Sequence, residues 1–200
     1  LVEVKKRQAV SGVDINLEQA WKTYRNGNHD TIVAMIDTGI DYTHEDLKDT
    51  LWVNTDEIPG NGIDDDGNGY VDDVYGWNFY NNNNQIFTGE EDSHGTHGAG
   101  TISAGTGNGI GIAGIVPGNR VRVMALKALG GTDGGGSTAA VIKAIRYAED
   151  NGAVICNLSL TSTVDDKALY EAMKNSSMLF VVAAGNGNPK TGKGVDTDAI

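Results

Sequence analysis

The chain has 200 residues, enough for one sizeable core, and carries a net charge of −12 from 27 acidic and 15 basic side chains. That balance argues against nucleic acid as a partner and suits a protein that holds cations. The single Cys156 excludes an internal disulfide framework, and no apolar run approaches the ~20 residues that span a membrane. The chain opens without a signal-peptide pattern, which reads as a mature form or one whose leader has been removed.

Residues 1–11 read as a polar N-terminal arm whose basic cluster, Lys5-Lys6-Arg7, is either solvated or a processing site with a mature start near Gln8. Asn16 and Gln19 have the spacing of a capping box. Leu17, Ala20, Trp21 and Tyr24 then recur at helical intervals, so a short amphipathic helix is expected. Thr31 to Ile36 is a mostly apolar run leading into Asp37 and a turn at Gly39. This predicts a strand buried on both faces with an acid at its carboxyl end, where sites assemble in open parallel sheets. Residues 41–56 read as loop and short helix.

In the stretch 62–73, oxygen-bearing side chains alternate at Asp64, Asp66 and Asn68, with Gly69 next for the sharp turn. This matches the first half of an EF-hand calcium loop, to which Tyr70 would add its carbonyl. Tyr75 stands where the bidentate acid belongs, so Asp72 or Asp73 must close the shell. The competing reading is a solvated acidic loop.

Residues 92–100, Asp-Ser-His-Gly-Thr-His-Gly-Ala-Gly, place two histidines three apart among glycines. So many glycines imply backbone held close to something. Asp92 or Ser93 can cap a helix running from His94 to about Ser103, and the positive helix end suits a histidine that must accept a proton. A zinc site on His94 and His97 would need a Glu between them and a third ligand, and neither is evident. Further strands are expected near 121–126, 153–159 and 178–184, with Cys156 as core filler in the second of these. Helices are expected over 137–151 and 165–176. The glycine-rich loop 130–136 lacks the Lys-Ser/Thr pair of a phosphate loop.

Three motifs carry a family resemblance: Asp37-Thr38-Gly39-Ile40, His94-Gly95-Thr96-His97-Gly98, and Val181-Val182-Ala183-Ala184-Gly185-Asn186. In this order and spacing they resemble the subtilisin-like serine proteases, from about Gln8 to about Asn188. The resemblance implies an α/β fold of three layers, a mainly parallel sheet with helices on both faces, and one catalytic domain over 1–200. It also implies an Asp-His-Ser triad in which Asp37 orients His94 and His94 serves the serine as base, while Asn186 donates to the oxyanion. The polypeptide substrate would lie between Gly134-Gly135-Gly136 and the strand ending in Ser159-Leu160, with Ala184 nearby.

The resemblance also implies a structural calcium at Gln8, Asp46, Thr106, Asn108, Ile110 and Ile112, with Asn108 binding through its side chain and Thr106, Ile110 and Ile112 through their carbonyls. The acidic loop Asp64, Asp66, Asn68, Tyr70 and Asp73 would hold a second calcium. An inhibitory pro-segment and a secreted or cell-surface location also follow from the resemblance.

Two departures stand out. Thr161-Ser162 replaces the glycine pair that usually follows the Ser-Leu pair, which narrows the cleft. No Gly-Thr-Ser-Met-Ala type motif follows Asn186. The 200 residues are therefore expected to be the N-terminal two-thirds of a catalytic domain, with the nucleophile beyond Ile200 and no activity alone. The rival reading is a non-catalytic, protease-like calcium-binding module.

Overall fold

A computed structural model describes residues 12, 14–23, 30–117, 120–162 and 165–187. The N-terminal arm with Gln8, and the polar tail from Lys190, lie outside the described residues.

The elements in chain order are α1 (Leu17–Thr23), β1 (Thr31–Asp37), β2 (Gly76–Asn78), α2 (Ser93–Ser103), β3 (Val121–Lys127), β4 (Leu129–Gly130), β5 (Gly135–Gly136), α3 (Thr138–Asp150), β6 (Ile155–Leu158), α4 (Lys167–Lys174) and β7 (Leu179–Val182). Five strands form one parallel sheet in the order β2-β3-β1-β6-β7, and β4 and β5 form a separate antiparallel pair.

β1 lies at the centre and is buried on both faces, as its unbroken apolar run predicts. Its alternate residues feed two cores. Ala34 and Ile36 pack with Met124 and Leu126 of β3 and with Val141, Ala144, Ile145 and Ala148 of α3. Val33 and Met35 pack with Val123 and Ala125 of β3 and Ala99 of α2. The two-residue period of a strand thus puts α3 on one face and α2 on the other, the α/β architecture expected. α4 joins the α3 side through Leu169 and Met173. α3 is capped by Ser137, whose side chain accepts from Ala140 N, and α4 by Asp166, which accepts from Ala168 N and Leu169 N.

The structure corrects one expectation and adds three details to the sequence reading. Residues 41–56 form turns and an isolated bridge from Leu51 to Val123, without a helix. Their backbone is held by short-range bonds such as Thr50 N to Leu47 O. β2 had no sequence signal, because three residues opening on glycine show no period. It pairs with Ala125–Lys127, where Gly76 has φ +127° and any Cβ would fall 2.0 Å from the Ala125 carbonyl oxygen. α1 buries no residue, and its contact with the domain runs through Trp21 Nε1, which donates to the Ile115 carbonyl at 2.7 Å. β7 is the outer strand, and Leu179, Val181 and Val182 are more than half exposed despite their apolar character.

Candidate active site

The carboxyl ends of β1 and β3 and the start of α2 meet at one point. Asp37, the last residue of β1, is fully buried, and its Oδ1 lies 2.8 Å from His94 Nδ1 in the first turn of α2. The same oxygen accepts from the Thr38 backbone N–H at 2.7 Å. Because the ionised carboxylate can only accept, Nδ1 carries the proton and Nε2 is left as the ring's acceptor. The His94 side chain is 61% exposed, so Nε2 is accessible from the cleft.

Close backbone contact creates this geometry. α2 approaches the turn after β1 so tightly that a Cβ on Gly95 would sit 2.2 Å from Gly39 O. Gly95 N donates to Thr38 Oγ1 at 3.1 Å, and Asp41 N donates to Thr96 Oγ1 at 3.0 Å. The helix cap differs from expectation. Asp92 stands at the N-cap but makes no side-chain cap bond. Its carboxylate accepts instead from Thr88 N, Thr88 Oγ1 and the buried Lys127 ammonium.

A cleft of about 690 Å³ runs past His94. Gly134, Gly135, Gly136, Ser159 and Leu160 line it, together with Thr161 and Ser162. Carboxylates at Glu90, Glu91, Asp133 and Asp166 face it, with no lysine or arginine among the lining residues. A hydrogen bond from the Thr138 hydroxyl, helped by Leu169 and Ala168 N–H groups, holds the Asp166 carboxyl below its ordinary range. Ala184 and Asn186 follow β7 in an exposed segment and do not line this cleft. Gly185 nonetheless abuts Thr161, within 3.6 Å of an added Cβ.

Two loops gather oxygen donors around a point. In the first, Asp46 meets the loop after α2: Asn108 Nδ2 donates to its Oδ1 at 2.7 Å and Ile112 N to its Oδ2 at 3.1 Å. These bonds, the Asn108 side chain first, hold the Asp46 carboxyl below its ordinary range. Thr106 and Asn108 share a cavity with Asp46, which a Cβ on Gly105 would fill, falling 2.6 Å from Asn108 Nδ2. Rotating the Asn108 amide by 180° would turn its oxygen inward, so the donor set fits a hard cation. The loop is an insertion: beyond it Ile115 N and Val116 N return to the Thr101 and Ile102 carbonyls of α2. Ile110 and Ile112 expose their side chains there, and Gln8 lies outside the described residues.

In the second loop the converging carboxylates are Glu57, Asp66 and Asp73, with oxygens within 4.8 Å of one another. Asn54 Nδ2 donates to both Asp66 and Asp73 at 2.9 Å, and Asn68 Nδ2 to both at 2.9 and 3.0 Å. Asp64 is turned to the backbone N–H groups of Asn68 and Gly69, and the Asp72 carboxylate to those of Asn61 and Gly62. Tyr70 sends its ring into an aromatic cluster with Trp77, Phe79 and Tyr147, where burial raises its phenol above the ordinary value. The sequence reading missed Glu57 and Asn54, which lie upstream of the acidic run and carry no spacing signal. Three carboxylates around one point, one of them bridged to a core tyrosine, fit a divalent cation.

A parallel α/β sheet thus carries, at its carboxyl edge, a buried carboxylate hydrogen-bonded to an exposed histidine at the mouth of a cleft. A family model described as "Subtilase family" matches residues 28–199, and the chain belongs to that family. It is 36% identical over 166 residues to Subtilisin-like protease 1 of Plasmodium berghei, covering 80% of this chain and 27% of that protein. It is 37% identical over 157 residues to the Major intracellular serine protease of Bacillus subtilis, covering 77% of this chain and 42% of the relative. With the Halolysin-like extracellular serine protease Nep of Natrialba magadii it shares 34% over 147 residues, covering 73% and 23%. The chain thus spans less than half the length of these relatives, one of which is named as extracellular and another as intracellular.

Proposed function

We propose that this chain supplies the acid, the base and one oxyanion donor of a serine endopeptidase that cleaves peptide bonds through an acyl-enzyme. The observation that carries the reading is the 2.8 Å bond between buried Asp37 and exposed His94, at the edge of a cleft. His94 Nε2 takes the proton of a serine hydroxyl as that oxygen attacks the scissile carbonyl, and returns it to the leaving amine. Asp37 holds the ring in the tautomer that presents Nε2, and stabilises the imidazolium. Asn186 donates to the oxyanion.

The serine belongs to a segment following Ile200. The exposed apolar strand β7 is the kind of surface such a segment would cover. Gly134–Gly136 and Ser159–Leu160 pair with the extended peptide, with Ala184 beside them. The two oxygen-rich loops hold structural calcium, the first through Asp46, Thr106, Asn108, Ile110, Ile112 and Gln8. In the second, Glu57, Asp66 and Asp73 join Asn68, with Asp64 and Tyr70 bracing the loop. A bound calcium would neutralise the clustered carboxylates and tie each loop to the domain. Synthesis with an inhibitory pro-segment and a secreted or cell-surface location complete the reading.

The test is covalent labelling of the gene product extended past residue 200 with a serine-directed fluorophosphonate, alongside peptide hydrolysis. Labelling that vanishes in His94→Ala and Asp37→Asn supports the triad. Asn186→Ala should keep the label yet lose about 10²–10³-fold in kcat, the loss known for this donor in the subtilase family. Folded, calcium-binding protein with neither labelling nor hydrolysis would instead favour the non-catalytic module, toward which Thr161 and Ser162 in the cleft wall already lean.

A further inference from the structure

Lys127, the last residue of β3, is the largest of the fully buried side chains among the described residues, and is 2% exposed. An ammonium there is costly unless it is paired and fully hydrogen-bonded. It has both kinds of partner. Its Nζ donates to Asp92 Oδ1 at 2.5 Å, and also to the carbonyl oxygen of Thr38. Asp92 is itself fully buried, and its second oxygen accepts from Thr88 N at 2.6 Å and Thr88 Oγ1 at 2.9 Å.

The location of these partners gives the pair its meaning. Thr38 follows Asp37 directly, and Asp92 stands two residues before His94 at the entry to α2. Lys127 is the register partner of Asp37 across β1 and β3. One ammonium therefore ties the segment bearing the acid to the segment bearing the base. The four residues before it in β3, Val123 to Leu126, are buried and apolar, so the strand's packing alone calls for no cation.

We propose that Lys127 and Asp92 are positioning residues for the catalytic pair: their buried ion pair sets the distance and angle of the Asp37–His94 hydrogen bond. Neither touches the reacting atoms. Lys127 fixes the main chain on which Asp37 is mounted, and Asp92 fixes the start of the helix on which His94 is mounted. The positive charge of Lys127 also offsets one of the two carboxylates buried at the site, Asp37 and Asp92, which would otherwise repel each other when both are ionised. The inference rests on the proposed proteolytic function for its kinetic consequence, and on the geometry alone for its structural one.

The experiment compares Lys127→Met, Asp92→Asn and the double variant Lys127→Met/Asp92→Leu with the parent, in the gene product extended past residue 200. Three quantities are read: melting temperature, kcat and KM separately, and the low-field proton resonance of the His94 Nδ1–H bond. Positioning predicts that each single variant lowers kcat by about 10²-fold with KM within about threefold, and loses the low-field resonance. The double variant, with no buried charge left unpaired, should regain most of the melting temperature while kcat and the resonance stay lost. If the double variant restores all three, or if the resonance persists unchanged in the single variants while only the melting temperature falls, the pair is merely structural and the proposal is overturned. If the parent hydrolyses no peptide, the protease reading fails, yet the resonance still decides the positioning role. Should Lys127→Met fail to fold, Asp92→Asn and the double variant carry the comparison.

Discussion

Two glycines on α2 offer a sharp contrast. A Cβ built on Gly95 falls 2.2 Å from the Gly39 carbonyl oxygen and 3.2 Å from both Cβ and Oδ1 of Asp37. The obstacle is backbone, which cannot swing aside, so reaching a tolerable 3.0 Å forces α2 to withdraw by about 0.8 Å. The 2.8 Å His94–Asp37 bond then stretches beyond hydrogen-bonding range. Overpacking costs about 1–3 kcal/mol, against which alanine recovers up to about 1 kcal/mol of helix propensity. Gly95→Ala should therefore lower the melting temperature by several degrees and kcat/KM by about 10²-fold or more, because a base displaced by an ångström loses that much. On Gly98 the same methyl meets Met35 Cε, also at 2.2 Å. That atom is the tip of a flexible side chain, which can turn away at little cost. Gly98→Ala should thus keep its activity and gain up to about 1 kcal/mol. Thermal melts and peptide hydrolysis on both variants of the extended protein check this. Equal behaviour of the two variants, or Gly95→Ala within threefold of the parent's activity, would refute the claim that close backbone approach sets the dyad.

Burial pushes the Cys156 thiol up to about 12 from an ordinary 9.0. The folded state thus keeps a proton that the unfolded chain releases above pH 9.0. This contribution is fully present below that pH and fades as pH rises toward 12, by up to about 1.4 kcal/mol per unit. Urea midpoints between pH 8.5 and 10.5 should fall less steeply in Cys156→Ala, and thiol reagents should label the parent only on unfolding. Calcium at a hundredfold excess over its dissociation constant should stabilise the fold by about 2.7 kcal/mol per site, and chelation should reverse this. Calorimetry should show Asp66→Ala and Glu57→Gln blunting that response far more than Asp64→Ala, whose carboxylate is turned to its own loop's backbone. Identical melts with and without chelator, and no metal by elemental analysis, would exclude both sites. On the proposed peptidase reading, the four carboxylates lining the cleft should favour substrates carrying lysine or arginine near the scissile bond. Matched Lys and Glu peptides should differ in kcat/KM at low salt, and the gap should close at high ionic strength.

Much of this protein was legible along the chain because its signals are local. The apolar run into Asp37, the glycines around His94 and the helical periods of α3 and α4 each depend on near neighbours, so their periods survive in one dimension. The positions of Asp37 and His94 at the ends of their elements likewise follow from strand and cap logic. What the sequence could not give are relations between distant segments. β2 is a strand only because β3 offers its edge to three residues that have no period of their own. Glu57 joins Asp66 and Asp73 because the chain folds back, and no spacing rule links it to the acidic run. Asp92 has the sequence of a helix cap, but the buried ammonium of Lys127, 35 residues on, outcompetes the helix N–H groups for its carboxylate. A buried ammonium must be paired, so its demand for the carboxylate overrides that of the helix end, and only the tertiary structure brings the two charges together.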